Sequence, residues 1–489
     1  MLNFRLFSET DRINRSIVHG AKTALSDKEF LELEIAKWKR SDLRKNQITS
    51  VKYYKGDHDI LYRKRTVIGQ DGLLQTVDNL PNNRIVDNQY AKLVDQKANY
   101  LVGKPFSKHT DNTQYADNIS KVFNKRFMRT LRNLCEDALN CGIAWLYVHY
   151  DRHGKLRFKR FEPFEILPFW ADAEHTELDC AIRVYEVITY EGQFERIIEK
   201  VELYSAGGIE RYTLTNGQLV PDAEGMTNHV LLTDAAGNQL GYNWQRIPLI
   251  AFKYNNKEIS LITRVKSLQD GINEMWSDFE NNMQEDSRNT ILVIKNYDGQ
   301  NLAEFRHNLA AYGAVKVRTI DGAEGGVDTL TVEVNAQNYE TILRLMKKAL
   351  IENGRGFDAK DERFSNNPNQ MNIQSMYSDI DLDANEMETE LQAAFEELTW
   401  FINIHLANSG HGDFSNEQLE ITFNRSVLIN ESAIIESIAK SSGIVSEATL
   451  LANHPWVTDV NTETERLKQQ RQETSDEYAD MFKAKSGEE

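Results

Sequence analysis

The sequence predicts an α+β protein that is mainly helical, and three observations predict it. Long stretches carry apolar residues every three or four positions, as one-sided helices do. From Ile143 through Leu214 the period shortens to two, with turns at Asp151-Arg152-His153-Gly154, Gly207-Gly208 and Asn216-Gly217. Later, two long helical patterns flank short apolar runs that are too few to form a stable sheet alone.

At 489 residues the chain is too long for one core, and its length suggests about three domains. A hydrophobic content of 40% and an aromatic content of 10% are those of a folded protein. The three cysteines, Cys135, Cys141 and Cys180, form no CxxC pair, which points to assembly in a reducing compartment. The opening MLNFRLFSETDRINR lacks the apolar segment of a signal peptide, and no run is apolar and long enough to span a bilayer, so no membrane role is expected. The net charge of −17 opposes a general nucleic-acid grip. The charge is uneven, however: Lys37–Arg65 holds ten Lys/Arg against three Asp/Glu, and Phe364–Asn424 holds eleven Asp/Glu and no Lys or Arg. Such an acidic block reads as a solvated helix face or as a surface that repels DNA.

Each element follows in order. The first 80 residues lean helical, with turns at Lys55–His58 and Gly69–Gly72. Val86, Tyr90, Leu93, Val94 and Leu101 place a helix over Arg84–Val102, with Gly103 expected as a left-handed cap and Pro105 as a stop. Lys121–Cys141 reads as one helix ending at Gly142. IAWLYVHY and KLRFKRFEPFEILPFW read as a hairpin, and Ile247–Tyr254 as a buried strand. Ile259, Ile262, Val265, Leu268, Ile272, Met275, Phe279 and Met283 then mark one face of a long helix, with Asp270, Glu274, Asp278 and Glu285 on other faces. Thr290–Ile294, Ala314–Thr319 and Thr329–Val334 read as strands, and Asn301–Ala311 as a short helix. A second one-sided helix, Asn338–Glu352, buries Ile342, Leu345, Met346 and Ala349. The Gly/Asn-rich loop Asn353–Asn372 follows, with Gly354 and Gly356 expected at backbone angles that other residues avoid. A long acidic helix Ile373–Ala407, a strand Leu419–Arg425 and helices over Glu431–Asn453 and Thr462–Lys485 complete the chain.

Catalytic patterns are scarce. No GxxxxGK[ST], HExxH or GxSxG occurs. His149, Asp151 and His153 cluster at a turn, where turn chemistry explains them better than a metal site. His405, His411 and Asp413 sit in a glycine-rich loop. Asp379, Asp381, Asp383 and Glu386 are the residues a two-metal nuclease would use, but helical spacing sends them to different faces. Phe158, Phe161, Phe164, Phe169 and Trp170, interleaved with Arg157, Lys159 and Arg160, read as a packed face with a basic outer face. No cofactor and no metal is expected.

Four segments, taken in order, resemble the portal protein family of tailed double-stranded-DNA bacteriophages of the long non-contractile-tailed type. NNRIVDNQYAKLVDQKANYLVGKPFS is similar to the family's wing helix with its G-x-P ending. RIPLIAFKYNNKEISLITRVKSLQDGINEMWSDFENNM resembles the strand and stem helix, including the paired asparagines and Asp270. The helix–loop–helix through Asn353–Asn372 matches the tunnel-loop position. FNRSVLINESAIIESIAKSSGIVSEATLLANHPWVTDVNTETERLKQQ resembles the start of the crown, with S-x-x-T-L-L and P-x-V-x-D at Ser446–Asp459.

The resemblance implies a ring-forming subunit with a wing over 1–246, a stem strand and long helix over 247–286 and a small αβ clip over 287–335. A second stem helix over 336–352, the tunnel loop over 353–372, a long acidic helix with a return wing strand over 373–429, and crown helices and tail over 430–489 would complete it. It further implies a homo-oligomer of about twelve copies at one capsid vertex, assembled in the host cytoplasm, through which double-stranded DNA is packaged, retained and ejected. The implied partners are terminase, scaffolding and major capsid proteins, and a head-completion adaptor. Lys360, Arg363, Asn366, Asn367 and Gln370 would face DNA in the channel. Ile262, Leu268, Ile272, Met275, Phe279, Ile342 and Leu345 would pack subunits together in the stem. The alternatives are a metal-dependent DNA-processing enzyme using the acidic helix, and another head-to-tail connector protein.

Overall fold

Helix α1 (Asp27–Lys39) lies against a β-sheet, and α2 (Asp42–Tyr54) begins at Ser41, whose Oγ accepts the Arg44 amide at 3.3 Å. The computed structural model describes residues 27–68, 72–78, 80–151, 153–233, 239–286, 290–295, 326–331, 336–358, 370–425, 431–457 and 463–472, with isolated positions 301, 304, 307, 317, 318 and 460. A short hairpin, β1 (Thr66–Ile68) and β2 (Leu74–Thr76), precedes an extended segment that leads into α3 (Gln89–Val102). Gly103 ends α3 but stays right-handed, at φ −69, contrary to the expected left-handed cap. Its amide still bonds Asn99 O at 3.0 Å, and a Cβ there would collide with that carbonyl. Glycine is therefore required by closeness and not by handedness.

After β3 (Ser107–His109), the helix expected over Lys121–Cys141 proves to be two, α4 (Thr113–Val122) and α5 (Lys125–Cys141). Asn124 starts the second, its Oδ1 accepting the amides of Arg126 at 2.9 Å and Phe127 at 3.2 Å. Gly142 ends α5 in the left-handed region at φ 83, as expected.

β4 (Ile143–Tyr150) and β5 (Leu156–Phe161) form the expected hairpin. The chain then turns at Pro163 into β6 (Ile166–Trp170), so the second arm of the expected hairpin is divided between two sheets. β6 opens an antiparallel meander with β7 (Leu178–Glu191), β8 (Phe194–Ser205), β9 (Gly208–Thr215) and β10 (Gln218–Thr227), in spatial order β10-β9-β8-β7-β6. α1 covers one face of this sheet, burying Ile35 and Trp38 against Ile182, Val184, Val201 and Leu219. A hairpin of β11 (Val230–Thr233) and β12 (Gln239–Tyr242) leads to β13 (Leu249–Lys253), which pairs with β4 and completes a sheet of order β13-β4-β5.

The turn after β13 holds the paired asparagines. Asn255, almost fully buried, bonds both backbone groups of Ile259, accepting its amide at 3.1 Å and donating to its carbonyl at 2.8 Å. The long helix α6 (Ile262–Asp286) follows. β14 (Thr290–Lys295) pairs with β15 (Gly326–Thr331) in a two-stranded sheet; the strand expected at Ala314–Thr319 and the helix at Asn301–Ala311 fall outside the described residues, apart from isolated positions. α7 (Ala336–Asn353) returns alongside α6, and α8 (Gln370–Asn408) runs through the centre of the molecule. β16 (Glu420–Thr422) pairs with β3. The terminal helix expected over Glu431–Asn453 is divided into α9 (Glu431–Ser441) and α10 (Glu447–Ala452), with Gly443 between them at φ 85.

The main core forms where α3, α4, α5, α8 and the β13-β4-β5 sheet converge. Phe106, Phe123, Phe127 and Phe395 pack mostly edge to face, with centroids 4.7–6.5 Å apart. Leu391, Leu398, Phe401 and Ile402 of α8 are fully buried there.

One carboxylate on α8 is poorly solvated. Glu397 lines a small cavity with Trp145, Trp170 and Glu390, and burial pushes its pKa up to about 7, with Arg246 only partly opposing. A raised carboxylate pKa means that folding takes up a proton, so this group loses stability as pH rises from about 4.5 through 7. Glu397→Gln should therefore match wild type at pH 4 and be more stable by roughly 1–3 kcal/mol at pH 8.5, read from melting temperature at each pH. Equal differences at both pH values would show that Glu397 is ordinarily solvated.

Candidate functional site: the braced helix pair and the root of the loop

Every fourth residue of α6 from Gln269 is polar and fully buried: Gln269, Asn273, Ser277 and Asn281. Their oxygens accept backbone amides from the extended segment before α3 and from the first turn of α3. Asn281 Oδ1 takes Asn83 N–H at 2.7 Å and Ser277 Oγ takes Ile85 N–H at 3.0 Å. Asn273 Oδ1 takes Asp87 N–H at 3.0 Å, and Gln269 Oε1 takes Tyr90 N–H at 2.9 Å. Over the first three contacts, at residues 83, 85 and 87, the geometry is a match of periods. Four helical residues rise about 6 Å, and two extended residues advance about 6.6 Å. A helix thus serves an extended chain as a neighbouring strand would.

Gln269 also donates from Nε2 to Asp87 O at 2.8 Å. Asn273 donates to His58 Nδ1 at 2.9 Å, which leaves His58 Nε2–H to donate to Tyr53 O at 3.0 Å. Burial lowers the His58 pKa and favours this neutral ring. Nearby, Lys266 joins Asp59 at 2.6 Å, Asp270 at 2.7 Å and Tyr53 Oη at 2.9 Å. Asp278 pairs with Arg63 at 2.7 Å. The acids Asp270 and Asp278, expected simply to face away from the packing, are brace points for the preceding chain.

The second half of the site is the root of the loop after α7. Gly354 and Gly356 do not take the unusual angles expected of them. Arg355 between them does, at φ 50, and the glycines are needed because a Cβ at either would collide with Leu93 of α3. Gln96 clamps the next residue in both directions, accepting Phe357 N–H at 2.9 Å and donating to Phe357 O at 2.6 Å. Phe357 stacks on Tyr377 of α8 at 4.2 Å.

Beneath the clamp lies a buried ion cluster. Asp383 of α8, 3% exposed, accepts from Lys97 Nζ at 2.7 Å, Arg264 at 3.0 Å and Tyr254 Oη at 2.6 Å. Lys97 also donates to Arg355 O at 3.0 Å. Burial pushes the Lys97 pKa down to about 8, with Asp383 opposing. Asp381 points elsewhere, to Arg425 at 2.7 Å and to the Tyr100 hydroxyl. The acidic helix is therefore not only a wet face. Two of its carboxylates are spent on cations of other elements, which removes the pair that a nuclease would use.

The other expected site residues are dispersed. Lys360, Arg363, Asn366 and Asn367 lie outside the described residues, and of Gln370 only its place as first residue of α8 is described. Of the residues expected to pack subunits together, Ile262 and Ile272 are buried within the chain itself, and Leu268 and Met275 pack against the same core. Phe279 meets Tyr339 of α7 at 5.1 Å, while Ile342 and Leu345, expected on the buried side of α7, stand 44% and 58% exposed, because the helix buries Leu343 and Leu350 instead. At the hairpin turn, Asp151 is occupied by Arg157 Nε at 2.8 Å and by the amides of His153 and Lys155, which hold its pKa well below the usual carboxylate range. On β5 the expected split of apolar and basic faces is mixed. Phe158 meets Phe127 at 5.4 Å while Arg160, on the same face, reaches Asp137 at 2.6 Å, and Phe161 on the other face is buried beside Lys159. Among the described residues no group of three or more His, Cys, Asp or Glu could hold a metal ion, and no helix is long and apolar enough to cross a membrane.

A strand, a long helix and a paired return helix stand together, and comparison with known proteins gives the chain a family. The model of the phage portal protein family, SPP1 Gp6-like, matches residues 36–477, and the chain belongs to that family. It is 28% identical over 479 residues to the portal protein of Bacillus phage SPP1, covering 97% of this chain and 92% of that one. It is 27% identical over 453 residues to the portal protein of Clostridium phage phiCD119, covering 89% and 96% respectively.

Two substitutions test the brace and the ion cluster. Asn273→Leu strands the Asp87 amide and His58, and should cost about 2–4 kcal/mol, against less than about 0.5 kcal/mol for Glu274→Ala on the exposed side. Asp383→Asn leaves the buried Lys97 and the half-buried Arg264 without their counter-charge and should cost about 3–5 kcal/mol, whereas exposed Asp379→Asn should be near neutral. Thermal melts of the four variants check both; a wild-type melt for either buried variant would remove its assigned role.

Proposed function

We propose that this chain is the repeating unit of a phage portal, a ring of about twelve copies at one capsid vertex through which the genome is packaged, retained and ejected. The observation that carries this is the family match over residues 36–477. Ile342 and Leu345 on the open side of α7 supply apolar surface for a neighbouring stem, while Ile262 and Ile272 keep α6 fixed inside its own subunit. The segment 353–372 reaches into the channel, where Lys360, Arg363, Asn366, Asn367 and Gln370 touch the DNA backbone. Contacts so sparse let DNA slide, and the acidic length of α8 adds little phosphate affinity. Residues 287–335 form the clip that docks terminase and later the head-completion adaptor, and residues 430–489 form the crown. Scaffolding and major capsid proteins meet the ring during assembly in the host cytoplasm. Energy for translocation comes from the terminase, since this chain has no nucleotide-binding loop and acts as a conduit, not as an enzyme.

Negative-stain images of the purified protein should show rings with a central hole, and a monomer at high concentration in native mass spectrometry would count against the assembly. Ile342→Asp with Leu345→Asp should yield folded but unassembled subunits. Replacing Asp358–Asn369 with a Gly-Ser link should leave rings intact and abolish packaging of full-length genome; normal packaging by that variant would reduce the loop to a linker.

A further inference from the structure

A cleft of about 980 Å³ opens beside β5, between that strand, the start of α5 and the end of α8. Its walls invert the charge of this acidic protein. Lys121 and Arg126 line it from the helical side, and Lys155, Arg157 and Lys159 line it from the hairpin. His405 and His411 close the far end. Asp151 is the one carboxylate among the lining residues, and it is already held by Arg157 and two backbone amides. Among the described residues no carboxylate lies within ion-pair distance of Lys155 or Arg126. Lys159 rests over the Phe161 ring at 5.4 Å.

Lys155, Arg157 and Lys159 alternate along the strand, so they share a face at intervals of about 6.7 Å. That is close to twice the 3.4 Å axial step of phosphates along one strand of a duplex. An extended acidic peptide has a similar repeat, and the surroundings decide between the two. A protein partner needs apolar anchors at the centre of its interface, whereas nucleic-acid interfaces are polar and strongly positive. The apolar residues that line the cleft, Val122, Phe127, Leu156 and Phe158, are buried or half-buried and none is among the exposed large hydrophobics, whereas Lys121, Arg126, Lys155 and Lys159 are exposed.

We propose that this cleft binds the phosphate backbone of double-stranded DNA, with Lys155 and Lys159 contributed by the hairpin and Lys121 and Arg126 by the helical side. The site is made of elements separate from the loop 353–372, so it stands or falls independently of the channel contacts.

The test is fluorescence anisotropy of a labelled 20-base-pair duplex with the full-length protein, from 50 to 200 mM NaCl. Arg126→Glu combined with Lys155→Glu and Lys159→Glu should weaken binding by at least about tenfold at the lower salt and reduce the salt slope by about 2–3. Reversing three exposed cations on α1 and α2 instead (Lys28→Glu, Lys45→Glu, Lys52→Glu) should change affinity less than about twofold if the cleft, and not total charge, is responsible. Lys155→Gln with Lys159→Gln, which disturbs the fold least, should fall between the two. Lys360→Ala with Arg363→Ala reports the loop separately, and its effect should multiply with that of the cleft variant. Wild-type affinity in a folded triple cleft variant overturns the site. Displacement of the duplex by polyglutamate at equal charge concentration overturns the choice of DNA over an acidic peptide.

Discussion

Much of this architecture depends on one constraint: the segment from Asn83 to Tyr90 has no strand partner, and its amides must still be satisfied. α6 meets that need with four side chains. Each such amide left alone would cost about 1–3 kcal/mol, so the extended segment, α6 and the start of α3 are locked as a set. The apolar side chains of α6 are then free to pack on either side, inward at Val265 and Ile272 and toward α7 at Phe279. Gly271 lets Met346 of α7 come closer than a Cβ would allow.

Charge plays a second, distinct part. Overall the chain is strongly acidic, yet the acids that matter to its fold are paired over long sequence distances, Asp383 with Lys97 and Arg264, and Asp87 with Lys347. Burial raises the Asp87 pKa, and Lys347, Gln89 and Trp276 more than reverse that shift. A buried pair such as Asp383 with Lys97 adds little net stability, but losing one partner is costly. The effect of such pairing is to specify which helices meet. The ion cluster ties α3, α6 and α8 together at the point where the chain leaves α7.

Apolar periodicity made the helices and the central hairpin legible, because burial of one face dictates both spacing and type. α6, α7 and α8 fall near their expected bounds, as do β4, β13 and β14, whereas α3 begins at Gln89 and not at Arg84, because residues 84–88 form the braced segment, and β15 lies three residues before its expected place. Division of a helix was less legible. Asn124 reads as an ordinary polar residue until its side chain is seen capping α5, and Gly443 separates α9 from α10 within a pattern that otherwise continues. The brace was missed for a physical reason: Gln, Asn and Ser on a helix read as solvent-facing, and burial follows only once backbone amides arrive to pay for it. Their constant spacing of four, opposite a Pro-Asn-Asn stretch with no strand partner, was the available signal. Asp383 was likewise unreadable alone, since its three partners come from α3, β13's following turn and α6.

The 39 residues of α8 form a rod roughly 58 Å long. One end follows the loop and carries Asp383 a few turns along; the other end carries His405, beside β5 and α5. No Pro or Gly interrupts it, and its middle third is gripped by the aromatic core. A helix held this way resists bending and transmits displacement along its axis. Strain applied near the loop root would thus arrive at the opposite end as tilt, carried by a single uninterrupted lever.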